Sequence, residues 1–339
     1  MTSKRILIVN VNWIGDVLFS TPFIRAVRDA NPDSYIACLL HPRCAEILQG
    51  NPRVNEIIVY DEEGVHRGLF GKLKLIFLLR SKKFDTAFLL HRSFTKALIA
   101  KLSGAREIIG YPTKNRAFLL TGSVEEPDEA IHKVEYFLNI ARHAGINPKT
   151  ASYEFFITDP DRNYAGQLLN MNGIQEKDTM VVLCPGGNWD PKRWPKERFA
   201  ALADLLVEKF GAKIVISGGR KEYHLADEIG KLMKRESVNI CSRTTLKQLA
   251  AVFERASLVI ANDTGTMHLA VAMKARVVAL FGPTSSAITG PYGEGRYTVI
   301  SSDEPCDIPC YDITCADNRC MRSIKVEDVL SAAERMLAQ

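Results

Sequence analysis

Short, almost wholly apolar runs alternate along the chain with longer segments in which apolar residues recur every three or four positions. The short runs are typical of strands buried in a parallel sheet, and the longer segments are typical of helices that cover it. In the first half this pattern predicts strands near 5–11, 34–40, 56–60, 84–90 and 106–110. It predicts helices near 17–30, 43–49, 66–82, 93–102 and 128–144.

The alternation begins again after a join at about residues 145–178. The second set of predicted strands lies near 179–184, 212–217, 238–241, 257–261 and 276–281. The second set of predicted helices lies near 196–210, 222–234, 246–254, 265–273 and 325–338. We therefore expect an α/β protein with two doubly wound domains that face each other across a cleft. The boundaries expected are 1–158, 159–324 and a C-terminal helix at 325–339.

Length and composition agree with this organisation. A chain of 339 residues with 46% hydrophobic and 24% charged residues is typical of a globular protein of two domains. Lys4 and Arg5 precede the apolar run 6–9, which is shorter than the apolar core of a signal peptide. No apolar stretch approaches the length of about 18–20 residues that a membrane helix needs. The sequence thus predicts a cytoplasmic protein.

Positive charge is concentrated in one region of the first half. Between His66 and Arg116 there are twelve Lys or Arg residues, and Asp85 and Glu107 are the only acids. Within this region, residues 68–80 have the composition of a basic amphipathic segment that could lie on an anionic membrane surface. The alternative is a core helix with a solvated basic face. A nucleic acid partner is not expected, because no known nucleic-acid-binding module accompanies the charge.

The segment 262–268 follows a predicted strand and opens an alanine-rich helix. Gly265 permits a tight turn, and the first peptide N–H groups of the helix have no acceptor within it. The positive end of the helix dipole adds to their attraction for a diphosphate, and His268 is close enough in sequence to reach the same site. The alternative is an ordinary helix start, in which Asp263 or Thr264 caps the helix and His268 is packed.

Two further loops of the second half follow predicted strands. In 185–195, Gly186 and Gly187 precede Lys192 and Arg193, so the loop could neutralise phosphate charge as a leaving group departs. Its alternative is a surface loop anchored by Trp194. The segment 218–222 could shape a nucleotide pocket or could be a simple turn.

In the first half, the segment 12–16 lacks the Gly-x-Gly-x-x-Gly pattern of dinucleotide-binding domains. It offers instead the carboxylate of Asp16, which could act as a general base on a hydroxyl group or could be a helix N-cap.

Metal chemistry is not expected. Asp159 and Asp161 have the spacing of a carboxylate pair, but around Pro160 they more naturally open a linker helix, with Asp159 as its cap. Four cysteines lie at 306, 310, 315 and 320, and they could bind zinc or an iron–sulfur cluster. Their loose spacing and the lack of a histidine favour reduced thiols or a labile disulfide. We expect no metal and no cofactor.

Three stretches, 13–18, 192–195 and 263–284, resemble glycosyltransferase family 9, the ADP-heptose heptosyltransferases of lipopolysaccharide core assembly. The resemblance covers nearly the whole chain. It includes 92–96 and the cysteine-rich segment up to Arg322, where it is greatest to the heptosyltransferase II branch. It implies a GT-B architecture of two Rossmann-like domains, with the acceptor in 1–158 and the donor in 159–324.

The resemblance also implies a role for each matched residue. Asp16 corresponds to the catalytic aspartate and Lys192 to the phosphate-binding lysine. The donor-binding residues it implies, with their glycine-rich neighbours, are Gly186, Gly187, Glu222, Asp263, Thr264, Gly265, Thr266 and His268. In the family, the acidic residue that contacts the ribose lies in the turn that corresponds to 218–222. This turn departs from the family pattern here, and the role is assigned to its acidic residue, Glu222. The implied reaction is an inverting transfer without a metal, in which Asp16 takes a proton from the acceptor while Lys192 and the 264–266 turn stabilise departing ADP.

On the acceptor side we expect Arg92, Lys96 and Arg116 to receive an anionic, membrane-anchored acceptor. The Kdo-bearing lipid A core fits this description, and peripheral contact with the inner membrane would follow. The alternatives are a nucleotide-sugar epimerase of the same fold, a non-catalytic lipid- or nucleotide-binding protein, and a family member with another donor or acceptor sugar.

Overall fold

The computed structural model describes residues 4–338 and forms two compact units, one ending at Phe156 and the other beginning at Ile157. Each unit is built on one six-stranded parallel sheet. The α/β fold expected from the alternating pattern is therefore confirmed. The boundary lies inside the join expected at 145–178, and residues 1–3 and 339 of the expected domains lie outside the described residues.

From residue 4 onward, the first unit contains six strands and five α-helices. The strands are β1 (Arg5–Val9), β2 (Tyr35–Leu40), β3 (Glu56–Val59), β4 (Thr86–Leu89), β5 (Glu107–Gly110) and β6 (Gly122–Ser123). The helices are α1 (Ile14–Ala30), α2 (Ala45–Leu48), α3 (Gly68–Ser81), α4 (Phe94–Leu102) and α5 (Lys133–His143). Short 3-10 turns lie at Pro42–Cys44 and Ala117–Leu119.

Up to residue 338, the second unit contains a further six strands and eight α-helices. The strands are β7 (Met180–Cys184), β8 (Lys213–Ile216), β9 (Ser237–Asn239), β10 (Leu258–Asn262), β11 (Val277–Phe281) and β12 (Tyr297–Ser301). The helices are α6 (Asp159–Met171), α7 (Lys196–Phe210), α8 (Tyr223–Leu232), α9 (Leu246–Arg255), α10 (Gly265–Ala272), α11 (Ser286–Thr289), α12 (Arg319–Ser323) and α13 (Val326–Leu337). Its 3-10 turns lie at Asp190–Lys192 and Arg220–Glu222.

The two sheets have the same strand order. The first runs β3-β2-β1-β4-β5-β6 and the second β12-β11-β10-β7-β8-β9. When the strands of each unit are numbered from its own first strand, both sheets have the order 3-2-1-4-5-6. This is the order of a doubly wound Rossmann-like sheet. In such a sheet the chain changes direction between the two central strands, and a crevice opens at their carboxyl ends. Ligands are therefore expected at the loops after β1 and β4 in the first unit, and at the loops after β7 and β10 in the second.

Some element boundaries differ from those expected. The predicted cap of α6 at Asp159 is wrong: the N-cap is Thr158, and the Asp161 carboxylate accepts the peptide N–H of Thr158 at 2.8 Å. Helix α5 begins at Lys133 rather than near 128, because the side chain of His132 accepts the N–H of Val134 and starts the helix there.

Strands β6 and β12 were not predicted. The first has only two residues, and the second is a half-buried edge strand without a long apolar run. Among residues 4–338, no helix combines the length and the apolarity that crossing a membrane requires.

Candidate functional site

In the second unit, the loops after β7 and β10 bring a lysine and an aspartate into contact. The ammonium Nζ of Lys192 lies 2.5 Å from Oδ2 of Asp263, and the two side chains are only 11% and 7% exposed. The hydroxyl of Thr284 donates to the same oxygen at 2.7 Å. Nε2 of His268 lies 3.9 Å from the other carboxylate oxygen. The strand order thus places side chains from distant positions of the sequence in one buried, charged group.

The last residue of β10 holds the glycine-rich loop in place. The amide nitrogen of Asn262 donates to the carbonyl oxygens of Pro185 at 2.8 Å and Gly186 at 3.1 Å. Its amide oxygen accepts the peptide N–H of Trp194 at 3.2 Å. The indole of Trp194 in turn donates to the carbonyl of Ile324 at 2.9 Å. The loop that carries Lys192 is therefore anchored on both sides.

Arg193 closes the same loop on itself. Its guanidinium donates to the carbonyl of Gly187 at 3.0 Å and pairs with Asp190 at 2.6 Å. The ammonium of Lys192 also lies 5.6 Å from the ring centroid of Trp189. Lys192 is thus held by contacts on several sides.

Helix α10 begins without a side-chain cap. Its N-cap is Thr264, whose hydroxyl lies 2.8 Å from the hydroxyl of Thr266 and makes no capping hydrogen bond. The alternative in which the Thr264 side chain caps the helix is therefore wrong. The peptide N–H groups of the first turn, beginning at Gly265, have no acceptor within the helix and carry the positive end of its dipole. Together with Lys192, they provide a positive site of the kind to which phosphate groups bind at helix N-termini.

Glu222 lies beside the glycine-rich loop. A Cβ atom on Gly186 would lie 2.8 Å from Cγ of Glu222, and one on Gly218 would lie 2.6 Å from its Cβ. The carboxylate of Glu222 accepts the peptide N–H of Gly219 at 2.9 Å. The two turns approach closely only because these positions lack side chains, and this approach places Glu222 next to Gly186.

The cysteine-rich segment packs at the end of β11. The peptide N–H of Cys310 donates to the carbonyl of Pro283 at 2.7 Å, and Sγ of Cys320 would lie 3.2 Å from a Cβ atom on Gly282. Burial raises the pKa of the Cys320 thiol, and the nearby thiols of the segment act in the same direction. Within residues 4–338, all eight cysteines are free thiols.

In the first unit, Asp16 lies in the first turn of α1. The N-cap of this helix is Trp13 in an extended conformation, so Asp16 is not the cap. Asp16 lines a pocket of about 190 Å³ between the loops after β1 and β4. The other polar or aromatic residues of this pocket are Asn12, Trp13, His91, Arg92, Lys133, Tyr136 and Phe137. A carboxylate therefore lies at the position that the strand order favours for a ligand.

His91 is neutral at physiological pH. Burial, followed by the nearby charges of Lys96 and Arg116, lowers the pKa of His91 to about 4. Its Nδ1 accepts the peptide N–H of Ser93 at 3.0 Å, which leaves the ring proton on Nε2.

Lys96 is buried in a polar cluster. Its ammonium lies 2.5 Å from the amide oxygen of Asn12 and 3.2 Å from the carboxylate of Glu62. The amide nitrogen of Asn12 also donates to Glu62, at 3.3 Å. Burial lowers the pKa of Lys96, and Glu62 opposes this effect. Lys96 thus fixes Asn12, which is itself part of the pocket beside Asp16.

Arg116 is also buried, whereas Arg92 is accessible. The guanidinium of Arg116 donates to the carbonyls of Tyr111 at 2.9 Å, Ser93 at 3.3 Å and His91. Arg92 is half exposed, lies 3.4 Å from Glu126 and lines the pocket. Of the three residues expected to bind the acceptor, Arg92 alone has an accessible side chain. Direct contact of Lys96 and Arg116 with an acceptor stays a prediction.

Among the residues of these two sites that were not identified from the sequence, Asn12, Glu62, Asn262 and Thr284 make the polar contacts described above. One signal was present for Asn262, because a polar side chain at the end of an apolar strand needs a hydrogen-bonding partner when it is buried. The partners of the other three come from distant segments, which no local pattern reveals.

Comparisons by sequence profile, by whole-chain sequence and by structure all point to the same family. Residues 72–320 match the sequence profile of "Glycosyltransferase family 9 (heptosyltransferase)". The chain is 27% identical over 300 residues to lipopolysaccharide heptosyltransferase 2 of Escherichia coli strain K12, with 85% of each chain covered.

Two solved structures are similar over nearly the whole chain. The glycosyl transferase family 9 protein of Veillonella parvula has a TM-score of 0.92 at 25% identity, covering 100% of this chain and 98% of that one. The ADP-heptose lipopolysaccharide heptosyltransferase II of E. coli has a TM-score of 0.82 at 25% identity, covering 99% of each. The expected GT-B fold of two Rossmann-like units is thereby confirmed.

Proposed function

The chain belongs to glycosyltransferase family 9, the heptosyltransferases, and we propose that it transfers heptose from ADP-heptose to the inner core of lipopolysaccharide. The names of its similar proteins, which include heptosyltransferases of lipopolysaccharide and lipooligosaccharide, support this choice of substrates. We assign the acceptor to the first unit and the donor to the second, which correspond closely to the expected domains 1–158 and 159–324.

The contact between Lys192 and Asp263, next to the uncapped start of α10, is the observation that carries this proposal. In the structure, the Asp263 carboxylate balances the charge of the Lys192 ammonium. A diphosphate at the first turn of α10 would gain the same ammonium and the peptide N–H groups that begin at Gly265. These groups stabilise the negative charge that develops on ADP as its bond to the sugar breaks.

The second part of the proposal concerns Asp16. Its carboxylate takes the proton from an acceptor hydroxyl, whose oxygen forms the new bond to the anomeric carbon of the heptose. The bond from that carbon to the ADP oxygen breaks, and ADP leaves with the bonding electrons. A single displacement of this kind inverts the configuration at the anomeric carbon. Because Lys192 and the peptide dipoles supply the positive charge, the step requires no metal ion and no cofactor.

The remaining donor contacts follow from the same loops. We propose that Gly186 and Gly187 allow the nucleotide to approach the backbone, and that Glu222 binds the ribose hydroxyls. Thr264, Thr266 and His268 complete the diphosphate site. The position of Glu222 beside Gly186 supports its part in this proposal, although the turn that carries it departs from the family pattern.

The acceptor is proposed to be the anionic lipid A core, received in the pocket beside Asp16. The accessible guanidinium of Arg92 is suited to its carboxylate or phosphate groups. Such an acceptor is anchored in a membrane, so we propose that the enzyme works at the cytoplasmic face of the inner membrane and contacts its surface.

The proposal is tested by incubating the purified protein with ADP-heptose and defined truncated core acceptors, followed by mass analysis. We expect one acceptor to gain the mass of one heptose, and ADP to be released only when that acceptor is present. An epimerase would isomerise the donor without an acceptor, and a non-catalytic binding protein would leave both substrates unchanged. Either result would contradict the proposal.

A further inference from the structure

Helix α3 is apolar on both of its faces. Leu75, Ile76 and Leu79 pack against the sheet of the first unit. On the opposite face, Phe70 and Phe77 are 88% and 67% exposed. The expectation of a basic amphipathic segment is wrong in this respect, since the outer face is largely apolar as well. A helix with apolar residues all round is normally found in a protein core or in an apolar phase.

The exposed apolar surface continues beyond α3. Helix α4 contacts both α3 and the turn Ala117–Leu119. It exposes Phe94, Leu98 and Leu102, which recur every four residues and so lie on one side of the helix. In the turn, Phe118 is exposed, and its ring centroid lies 6.0 Å from that of Phe94. We call the exposed apolar side chains of α3, α4 and this turn the apolar face.

Basic residues accompany the apolar face and acidic residues do not. No Asp or Glu occurs in α3, α4 or the turn 117–119. The exposed basic residues on and beside these elements are Arg67, Lys74, Arg80, Lys83, Arg92, Lys101 and Lys114. A partner must therefore combine an apolar layer with negative charge. A symmetric pair of copies would bring the same positive charges together, which disfavours a second copy of this chain as the occupant.

We propose that the apolar face docks on the surface of an anionic lipid bilayer. Phe70 and Phe77 enter the boundary between headgroups and acyl chains, while Lys74 and Arg80 pair with lipid phosphates. This inference specifies the surface through which the enzyme makes the membrane contact of the proposed function. It rests on the proposed function only for the identity of the lipid-linked acceptor.

The test is co-sedimentation of the full chain with vesicles. Vesicles of phosphatidylglycerol and phosphatidylethanolamine are compared with vesicles of phosphatidylcholine. We expect the wild-type protein to bind the anionic vesicles. Because removing an aromatic side chain from an apolar environment changes an equilibrium about tenfold or more, the double variant Phe70→Ser, Phe77→Ser should bind at least about tenfold more weakly. The variant Lys74→Glu, Arg80→Glu should also bind more weakly.

A matched control comes from the second unit, where Met171 and Tyr311 are 81% and 73% exposed. The double variant Met171→Ser, Tyr311→Ser should bind vesicles as the wild type does. The proposal is overturned if the wild type stays in the supernatant, or if the Phe70 and Phe77 variant sediments as the wild type does. It is also overturned if that variant abolishes only self-association, measured by sedimentation velocity, because a second copy would then occupy the face.

A water-soluble core oligosaccharide without lipid separates this inference from the proposed function. The Phe70 and Phe77 variant should transfer heptose to it at the wild-type rate, which shows that the variant is folded. A lower rate on this acceptor would contradict a role limited to docking. If wild type binds vesicles in the expected pattern but transfers no heptose, docking stands and the proposed function fails.

Discussion

Each of the two candidate sites contains buried charged residues that already have partners. Lys192 pairs with Asp263, and Lys96 pairs with Glu62 and Asn12. Taking such charges out of water costs free energy that their mutual attraction often only offsets. Their presence is therefore better explained by function or positioning than by stability. In the proposed site, Lys192 is ready to exchange part of its contact with Asp263 for a phosphate.

This exchange gives a prediction for Lys192. Replacing Lys192 with Met should raise the dissociation constant for ADP about 10- to 100-fold, because a charge-assisted hydrogen bond contributes about 1.5–3 kcal/mol. Isothermal titration calorimetry with ADP measures the effect directly.

The nearby Lys196 provides a matched control for that measurement. It is more exposed and pairs with Glu228 at 2.9 Å, so Lys196→Met should leave ADP affinity unchanged. An unchanged affinity in Lys192→Met, or an equal loss in both variants, would show that Lys192 does not hold the diphosphate.

Single residues differ in how far the sequence reveals them. Asp16, Lys192 and Asp263 could be singled out because each is a charged residue in a loop that follows a predicted strand. Asn12 and Thr284 could not, because their importance depends on partners that only the tertiary structure brings near. For the same reason, the sequence did not reveal that Lys96 and Arg116 are buried.

At the scale of elements, Arg116 joins two loops. Its guanidinium links the segment after β5, through Tyr111, to the segment between β4 and α4, through His91 and Ser93. Burial lowers the pKa of this guanidinium, which reflects the cost of keeping the charge inside. Arg116 thus holds the loop that carries His91 and Arg92 beside the pocket of Asp16.

Loss of Arg116 should therefore destabilise the first unit. The substitution Arg116→Met leaves buried carbonyl groups without a donor and should lower the free energy of unfolding by about 3 kcal/mol. Denaturant unfolding measures this change. Arg92→Met removes a neighbouring arginine that is half exposed, and should change stability by less than about 0.5 kcal/mol. Equal stability of the two variants would contradict the role given to Arg116.

Element types were predictable, whereas their limits and their faces were not. The alternation of apolar patterns identified the major helices and strands, because buried strands and covering helices have different periods. Edge strand β12 lacks a buried run, so its pattern resembles that of a loop. The composition of α3 suggested an amphipathic helix, but its apolar residues occupy both the buried and the exposed face.

At the scale of the whole molecule, two units of the same strand order carry different chemistry. The order follows from strand pairing, which the alternating pattern alone does not contain. The rule that ligands bind where the strand order reverses nevertheless applies to both units, since Asp16 lies at this position in the first and Lys192 with Asp263 in the second. The proposed function divides accordingly into proton transfer by the first unit and donor binding by the second.

The most direct test of this division is the rate of heptose transfer by Asp16→Asn at saturating ADP-heptose, measured beside its affinity for ADP-heptose. Because loss of a general base typically slows a reaction about 10²- to 10⁴-fold, we expect a fall of this size in the rate. The affinity for ADP-heptose should stay within about twofold, since the donor contacts belong to the second unit. A transfer rate equal to that of the wild type would contradict the account.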